Sequence, residues 1–213
     1  MRFVISYNSK NLCNLSVFYP LQSIREDALT KGQGQALNIY NSNYSIELIR
    51  DISQAQAILN LIRKSMIFYA HEANISLYSK NGAYTIPALN ESRGDVVRSI
   101  EANDVFVVKD GEKYIAHVRC ISDFNLGRTI LSRFVIDKDY LNKDIYPLLI
   151  NELIRYLSPQ GIQELFVYVA TENSSIIEAL YKEMFQPYSV NDGYPYPKVC
   201  LIRRLYRNPY ISH

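Results

Sequence analysis

The chain has 213 residues, enough for one domain with a modest extension and a sizeable buried core. Apolar residues make up 48% and charged residues 21%, an ordinary globular balance, and a formal net charge of +2 is too small to point to nucleic acid or an acidic membrane surface. No run approaches the roughly 18 apolar residues of a membrane span, and MRFVISYNSK lacks the apolar stretch and cleavage site of a secretory signal, so a cytoplasmic location is expected.

Residues 1–43 alternate short apolar runs (RFVIS, LSVFYPL) with polar stretches, and Gly32 and Gly34 lie in the loop KGQGQ. Without a strand before them and an apolar helix after them, these glycines do not make a phosphate loop. The segment reads as an N-terminal extension packed on a domain spanning 44–213. From Tyr44, YSIELIR alternates like a strand. DISQAQAILNLIRKSM then sets Ile52, Ala55, Leu59, Ile62 and Met66 at helical spacing, with Asp51 or Ser53 as cap. Residues 67–90 read as a long polar and aromatic connection closed by Pro87, and NESRGDVVRSIEAND as a second helix capped by Asn90.

In DVFVVKDGEKYIAHVRCIS two apolar runs flank Asp110-Gly111, a pair that tolerates positive φ and so favours a tight hairpin. RTILSRFVI (128–136) adds a third strand. DIYPLLINELIRYL spaces Ile145, Leu149, Leu153 and Leu157 four residues apart, with Pro147 acceptable only in the first helical turn, where its missing N–H costs little. Gly161 ends that helix region. ELFVYVA follows as a strand, NSSIIEALYKEMF as a helix capped by Asn173 or Ser174, and KVCLIRRLY as a closing strand. An antiparallel meander followed by a βαβ unit predicts an α/β (mixed α+β) protein with a central mixed sheet and helices on both faces. Cys13, Cys120 and Cys200 are widely spaced and read as buried structural thiols. His71, His117 and His213 form no ligand pattern, so no metal is expected.

The chain resembles the GNAT N-acyltransferase family over roughly residues 44–205, a resemblance that rests on three stretches. PALNESRGDVVRSIEANDVFVVKDGEKYIAHVR is similar to the family's substrate-side helix followed by a valine-rich strand, Asp-Gly and a second strand. RFVIDKDYLNKDIYPLLINELIRYL is similar to its strand, Arg/Gln-x-x-Gly-x-Gly loop and helix. A gapless overlay puts Leu141 at the basic position and Asn142, Asp144 and Tyr146 at the usual glycines. ELFVYVATENSSIIEALYKEMFQPY resembles the family's strand, Asn-capped helix and Tyr-x-x-x-Gly-Phe. Tyr181 stands at the family tyrosine, Asn173 one residue further from it than usual, and Phe185-Gln186 in place of Gly-Phe.

The resemblance implies direct attack of an amine on the thioester of acetyl-CoA or a longer acyl-CoA. Donor contacts would come from Phe134, Val135 and Ile136 on the strand, from Leu141, Asn142, Lys143, Asp144, Ile145 and Tyr146 at the loop and helix start, and from Asn173. Tyr181 would protonate the leaving thiolate. Many relatives carry a Glu base where Ile130 stands here, and His117 is the available substitute. Tyr69, His71, Glu72 and Tyr84 would line the acceptor side, facing a small-molecule or peptide amine. A homodimer and an acyl carrier protein donor are the partners this resemblance admits; nucleic acid and membrane are not. The chain departs from the pattern in having no glycine between Gly127 and Gly161, and Asp144 puts a negative charge where a phosphate would sit. Two readings stay open: a divergent loop that still holds the donor, or a structural turn in which Asp144 caps the helix and Pro147 stiffens it. Likewise Tyr181 and His117 fit plain packing roles, and Arg133 a buried ion pair. An open gap between the fourth and fifth strands would favour an acyltransferase, and a gap filled by Tyr146 or Phe134 a non-catalytic binding or assembly module.

Overall fold

The computed structural model describes residues 44–141, 143–192 and 196–205. The expected extension over 1–43, Cys13, Asn142 and His213 lie outside them. Seven strands form one mixed sheet in the order β1-β2-β3-β4-β5-β7-β6. They are β1 (Tyr44–Leu48), β2 (Val105–Asp110), β3 (Lys113–Asp123), β4 (Arg128–Ile136), β5 (Glu164–Ala170), β6 (Gln186–Asn191) and β7 (Lys198–Arg204). Every pairing is antiparallel except β4 with β5. That parallel pair needs a crossover, which α3 (Ile145–Leu157) supplies; α1 (Ala55–Glu72), α2 (Arg93–Glu101) and α4 (Ser174–Lys182) complete the helices.

Side-chain alternation decides which sheet face is covered. On β5, Leu165, Val167 and Val169 enter the main core with Leu149, Leu153, Ile176 and Leu180 of α3 and α4, while Phe166 points the other way into a small cluster with Cys200 and Ile202. The β2–β3 turn falls where the Asp-Gly pair placed it, with Gly111 at φ +58°. Gly127 is the other glycine whose freedom matters. At φ +63° its carbonyl accepts the N–H groups of Gln163 (2.7 Å) and Glu164 (3.1 Å), tying the start of β4 to that of β5. A Cβ there would meet the Gly161 oxygen at 3.1 Å. Gly127→Ala is therefore expected to cost about 1–2 kcal/mol, the left-handed penalty of an L-residue, read as a lower urea midpoint.

Several element boundaries differ from expectation. Asp51 caps a 3-10 turn over Ile52–Gln54, accepting the Ser53 N–H at 2.8 Å, and α1 proper begins at Ala55. This helix runs on to Glu72, because FYAHE contains no breaker, and stops short of Asn74 at φ +51°. Tyr69, His71 and Glu72 are thus helical rather than part of the connection. The cap of α2 is Ser92, in a capping box with Asp95, whereas Asn90 donates to the Tyr84 carbonyl at 3.0 Å. Asp144 and Asn173 occupy the N-cap positions of α3 and α4, but neither side chain makes a capping hydrogen bond.

Candidate functional site

The site grows from an irregularity in β4. His117 pairs with Val135 but Arg119 with Ser132, so β4 carries one extra residue, and Arg133 takes φ +53°. Such a bulge bends its strand and increases the local twist. Accordingly β4 and β5 pair only over Arg128–Leu131 and Glu164–Val167, and the rest of β4 diverges from β5. The Asp137 N–H donates to the Ile115 carbonyl on the β3 side at 2.7 Å. Backbone groups alternate along a strand, so the N–H and C=O of Ile136 face the opening toward β5.

Two tyrosines fill that opening. The Tyr69 hydroxyl donates to the Ile136 carbonyl at 2.9 Å and accepts the Ile136 N–H at 2.8 Å. The Tyr146 phenol lies beside that of Tyr69. The Tyr146 ring stands edge-on to Phe134, centroids 5.4 Å apart. Tyr69 is 6% and Tyr146 8% exposed. Burial pushes the Tyr69 phenol up to about 12 and raises that of Tyr146 well above its ordinary value. Tyr69 is thus turned toward this opening, while His71 and Glu72 remain exposed and Tyr84 stacks on Tyr78 at 5.0 Å.

Beyond β4 the chain turns through Lys138–Tyr140 into α3. Tyr140 is anchored by its hydroxyl on Asp110 (2.9 Å), and the ammonium groups of Lys113 and Lys143 lie 4.7 and 4.5 Å from its ring. Leu141 packs against the core and Ile145 is fully buried in it. Asp144, the second of the three expected glycine positions, adopts φ +50°, the conformation glycine takes most readily. Pro147 brings no N–H to the first turn of α3, so the anion-binding capacity of that helix start rests on Ile145 and Tyr146. Nearby, burial raises the Glu183 carboxyl; Arg203, 3.7 Å away, opposes the rise and the charge of Asp144 adds to it. Two carboxylates therefore border the place where donor phosphates are expected.

His117 does not serve as the general base. It is fully buried, and its Nδ1–H donates to the Arg133 carbonyl at 2.9 Å. Burial, reinforced by Arg119 and Arg133, depresses the imidazole to about 3 against the opposing Arg133 bond. So weak a base, closed off from solvent, cannot collect a proton from an ammonium near neutral pH. Tyr181 is 45% exposed on α4. Asn173 is buried.

Sequence reasoning missed the charged cluster on the α2 side of the bulge. Glu91, 7% exposed, receives Arg119 through both carboxylate oxygens (3.0 and 3.3 Å) and Arg133 Nε at 2.9 Å, while Arg63 donates to its carbonyl at 2.8 Å. It lines a polar cleft of about 430 Å³ with Asp95, Ser99 and Asp104. The ion-pair alternative for Arg133 is the one realised, and its partner lies 42 residues away, beyond any local pattern. Among the described residues no cluster of His, Cys, Asp and Glu is arranged to hold a metal, and no helix is long and apolar enough to cross a membrane.

Residues 67–184, more than half of the chain, match the acetyltransferase (GNAT) family. No curated protein sequence matches. Among solved structures, the PaiA N-acetyltransferase from Thermoplasma acidophilum, in complex with coenzyme A, superposes with a TM-score of 0.60 at 18% identity, covering 76% of this chain and 99% of that one. The ribosomal-protein-S18-alanine N-acetyltransferase from Escherichia coli gives 0.57 at 13% identity, covering 80% and 99%. The microcin C7 self-immunity acetyltransferase MccE, in complex with acetyl-CoA and AMP, gives 0.58 at 15%, covering 78% and 94%. At these identities the superpositions speak for the fold alone. Together with the family match over 67–184, they establish that the chain belongs to the GNAT acetyltransferase family.

Proposed function

We propose that this protein transfers an acyl group, from acetyl-CoA or a longer acyl-CoA, to an amine by direct attack. The observation that carries the reading is the bulge at Arg133 and the divergence of β4 from β5, which turns the Ile136 N–H and C=O toward an opening between the strands. A donor whose arm contains amides can dock there as an extra strand would, leaving its thioester in the opening. The amine lone pair attacks the thioester carbonyl, the carbon–sulfur bond breaks, and the thiolate leaves. Tyr181, exposed on α4, is the residue assigned to protonate that thiolate. The ammonium first loses one proton to water, since His117 is buried and too weakly basic, and the nitrogen sheds a second as the amide forms, which balances the proton Tyr181 gives to the thiolate. A small-molecule or peptide amine is the acceptor class. Asp144, Glu183 and Pro147 make the α3 start a poor phosphate cradle, which favours a donor held by its pantetheine arm, including one presented by an acyl carrier protein.

A second reading, a GNAT-like binding or assembly module without catalysis, draws support from Tyr69 and Tyr146 occupying the opening. Calorimetric titration and thermal shift with acetyl-CoA and with a longer acyl-CoA separate the two. A donor at roughly 100 times its dissociation constant should stabilise the fold by about 2.7 kcal/mol. Tyr181→Phe should then lower turnover by about 10²-fold, the low end of general-acid contributions, while leaving donor affinity unchanged. Absence of binding by either compound at millimolar concentration rejects the CoA-dependent enzyme.

A further inference from the structure

The Tyr69 hydroxyl does to Ile136 what an amide in a neighbouring extended strand does: it accepts from the N–H and donates to the C=O of a single residue, at 2.8 and 2.9 Å. We propose that Tyr69 is an internal competitor for the donor site, locked by Tyr146, and that a donor enters only by displacing both phenols from the opening. This rests on the reading of the β4–β5 opening as the donor site.

Three observations carry it. Tyr69 and Ile136 are both buried, so breaking their contact without replacement strands a backbone N–H and C=O away from water. Only a ligand offering an adjacent donor and acceptor, as an amide does, can take over without that penalty. Tyr146, edge-on against Phe134 of β4, lies beside the Tyr69 phenol and hems it in. Finally, α1 is fastened to the end of β4 independently of Tyr69, because Lys64 of the same helix pairs with Asp137 at 3.0 Å. Displacement therefore requires rotation of side chains and leaves the helix anchored. The device selects for donors that carry amides along the arm and against simple short thioesters.

The test measures binding of acetyl-pantetheine, which lacks the nucleotide phosphates, and of acetyl-CoA to the wild type, Tyr69→Phe, Tyr69→Ala and Tyr146→Phe. Amide hydrogen exchange at Ile136 is followed in the unliganded proteins. Tyr69→Phe and Tyr69→Ala should each bind acetyl-pantetheine at least about tenfold more tightly than the wild type, with Tyr146→Phe between; each tenfold step corresponds to ~1.4 kcal/mol. The Ile136 amide should exchange faster in both Tyr69 variants. Tyr146→Phe keeps the ring on Phe134 and so provides a mild variant if Tyr69→Ala folds poorly. Equal or weaker binding by the variants, with the wild type binding well, overturns the competitor while leaving the acyltransferase reading intact. If folded variants and wild type all fail to bind either compound, the donor-site reading falls as well.

Discussion

Glu91→Ala is expected to lower the stability of the fold by about 3–5 kcal/mol, the range for removing one partner of a buried ion pair. The carboxylate is 7% exposed and meets two guanidinium groups, Arg119 from β3 and Arg133 from the bulge of β4. Without it, two cations face each other in a partly dry pocket, and Arg119 already has a buried Nε with no partner among the described residues. The cost comes chiefly from those orphaned charges rather than from lost attraction. A triple replacement of Glu91, Arg119 and Arg133 by Met should therefore recover most of the loss, because no buried charge remains. Urea unfolding measures both. A loss under 1 kcal/mol for Glu91→Ala would mean that water reaches the arginines freely and the cluster is not a structural clamp.

The second large effect is a dependence on pH. His117 is held near 3 in the fold, against about 6.5 in an unfolded chain. Between those values the unfolded state binds a proton that the folded state does not, so stability falls as the pH drops below the unfolded value. Integrated from pH 7.5 to 5, the loss is about 2 kcal/mol from this one group. His117→Phe removes the titration and should flatten that part of the curve, whatever it does to stability at pH 7.5. Asp104 and Glu183, whose carboxyls burial raises, act in the opposite sense, but they are present in both proteins and cancel in the comparison. Parallel curves for the two proteins would show that His117 is reached by water and titrates normally.

These groups also mark where the sequence is readable. The strand 128–136, the Asp110-Gly111 hairpin and the α3 stripe are written in local periodicity and turn chemistry, and the structure keeps them. The end of α1 is not, since FYAHE carries no breaker and the stop comes only at Asn74, which takes φ +51° while the Ile75 N–H donates back to the Ala70 carbonyl at 2.8 Å. Nor is β6, all six residues of which are exposed, so no buried face leaves an alternating pattern to find. The loss of loop glycines is visible in the sequence, but its counterpart is not. Tyr69 lies 67 residues from Ile136 and bonds to its backbone, a contact that leaves no mark on the identity of either residue. Glu91 meets its arginines across 28 and 42 residues for the same reason.

Among the described residues β6 is the outer strand of the sheet beyond β7, and Tyr188 and Val190 stand half or more exposed on it. An outer strand is where a sheet can be extended by another chain. Here Pro187 has no N–H to give, and the register slips between Pro187 and Ser189, which twists the rail on which a foreign strand would have to align. Replacing Pro187 with Val would supply the missing donor to an exposed row already rich in β-formers. The consequence concerns solubility in crowded conditions more than stability: the proline and the register slip beside it are what β6 sets against extension by intermolecular pairing.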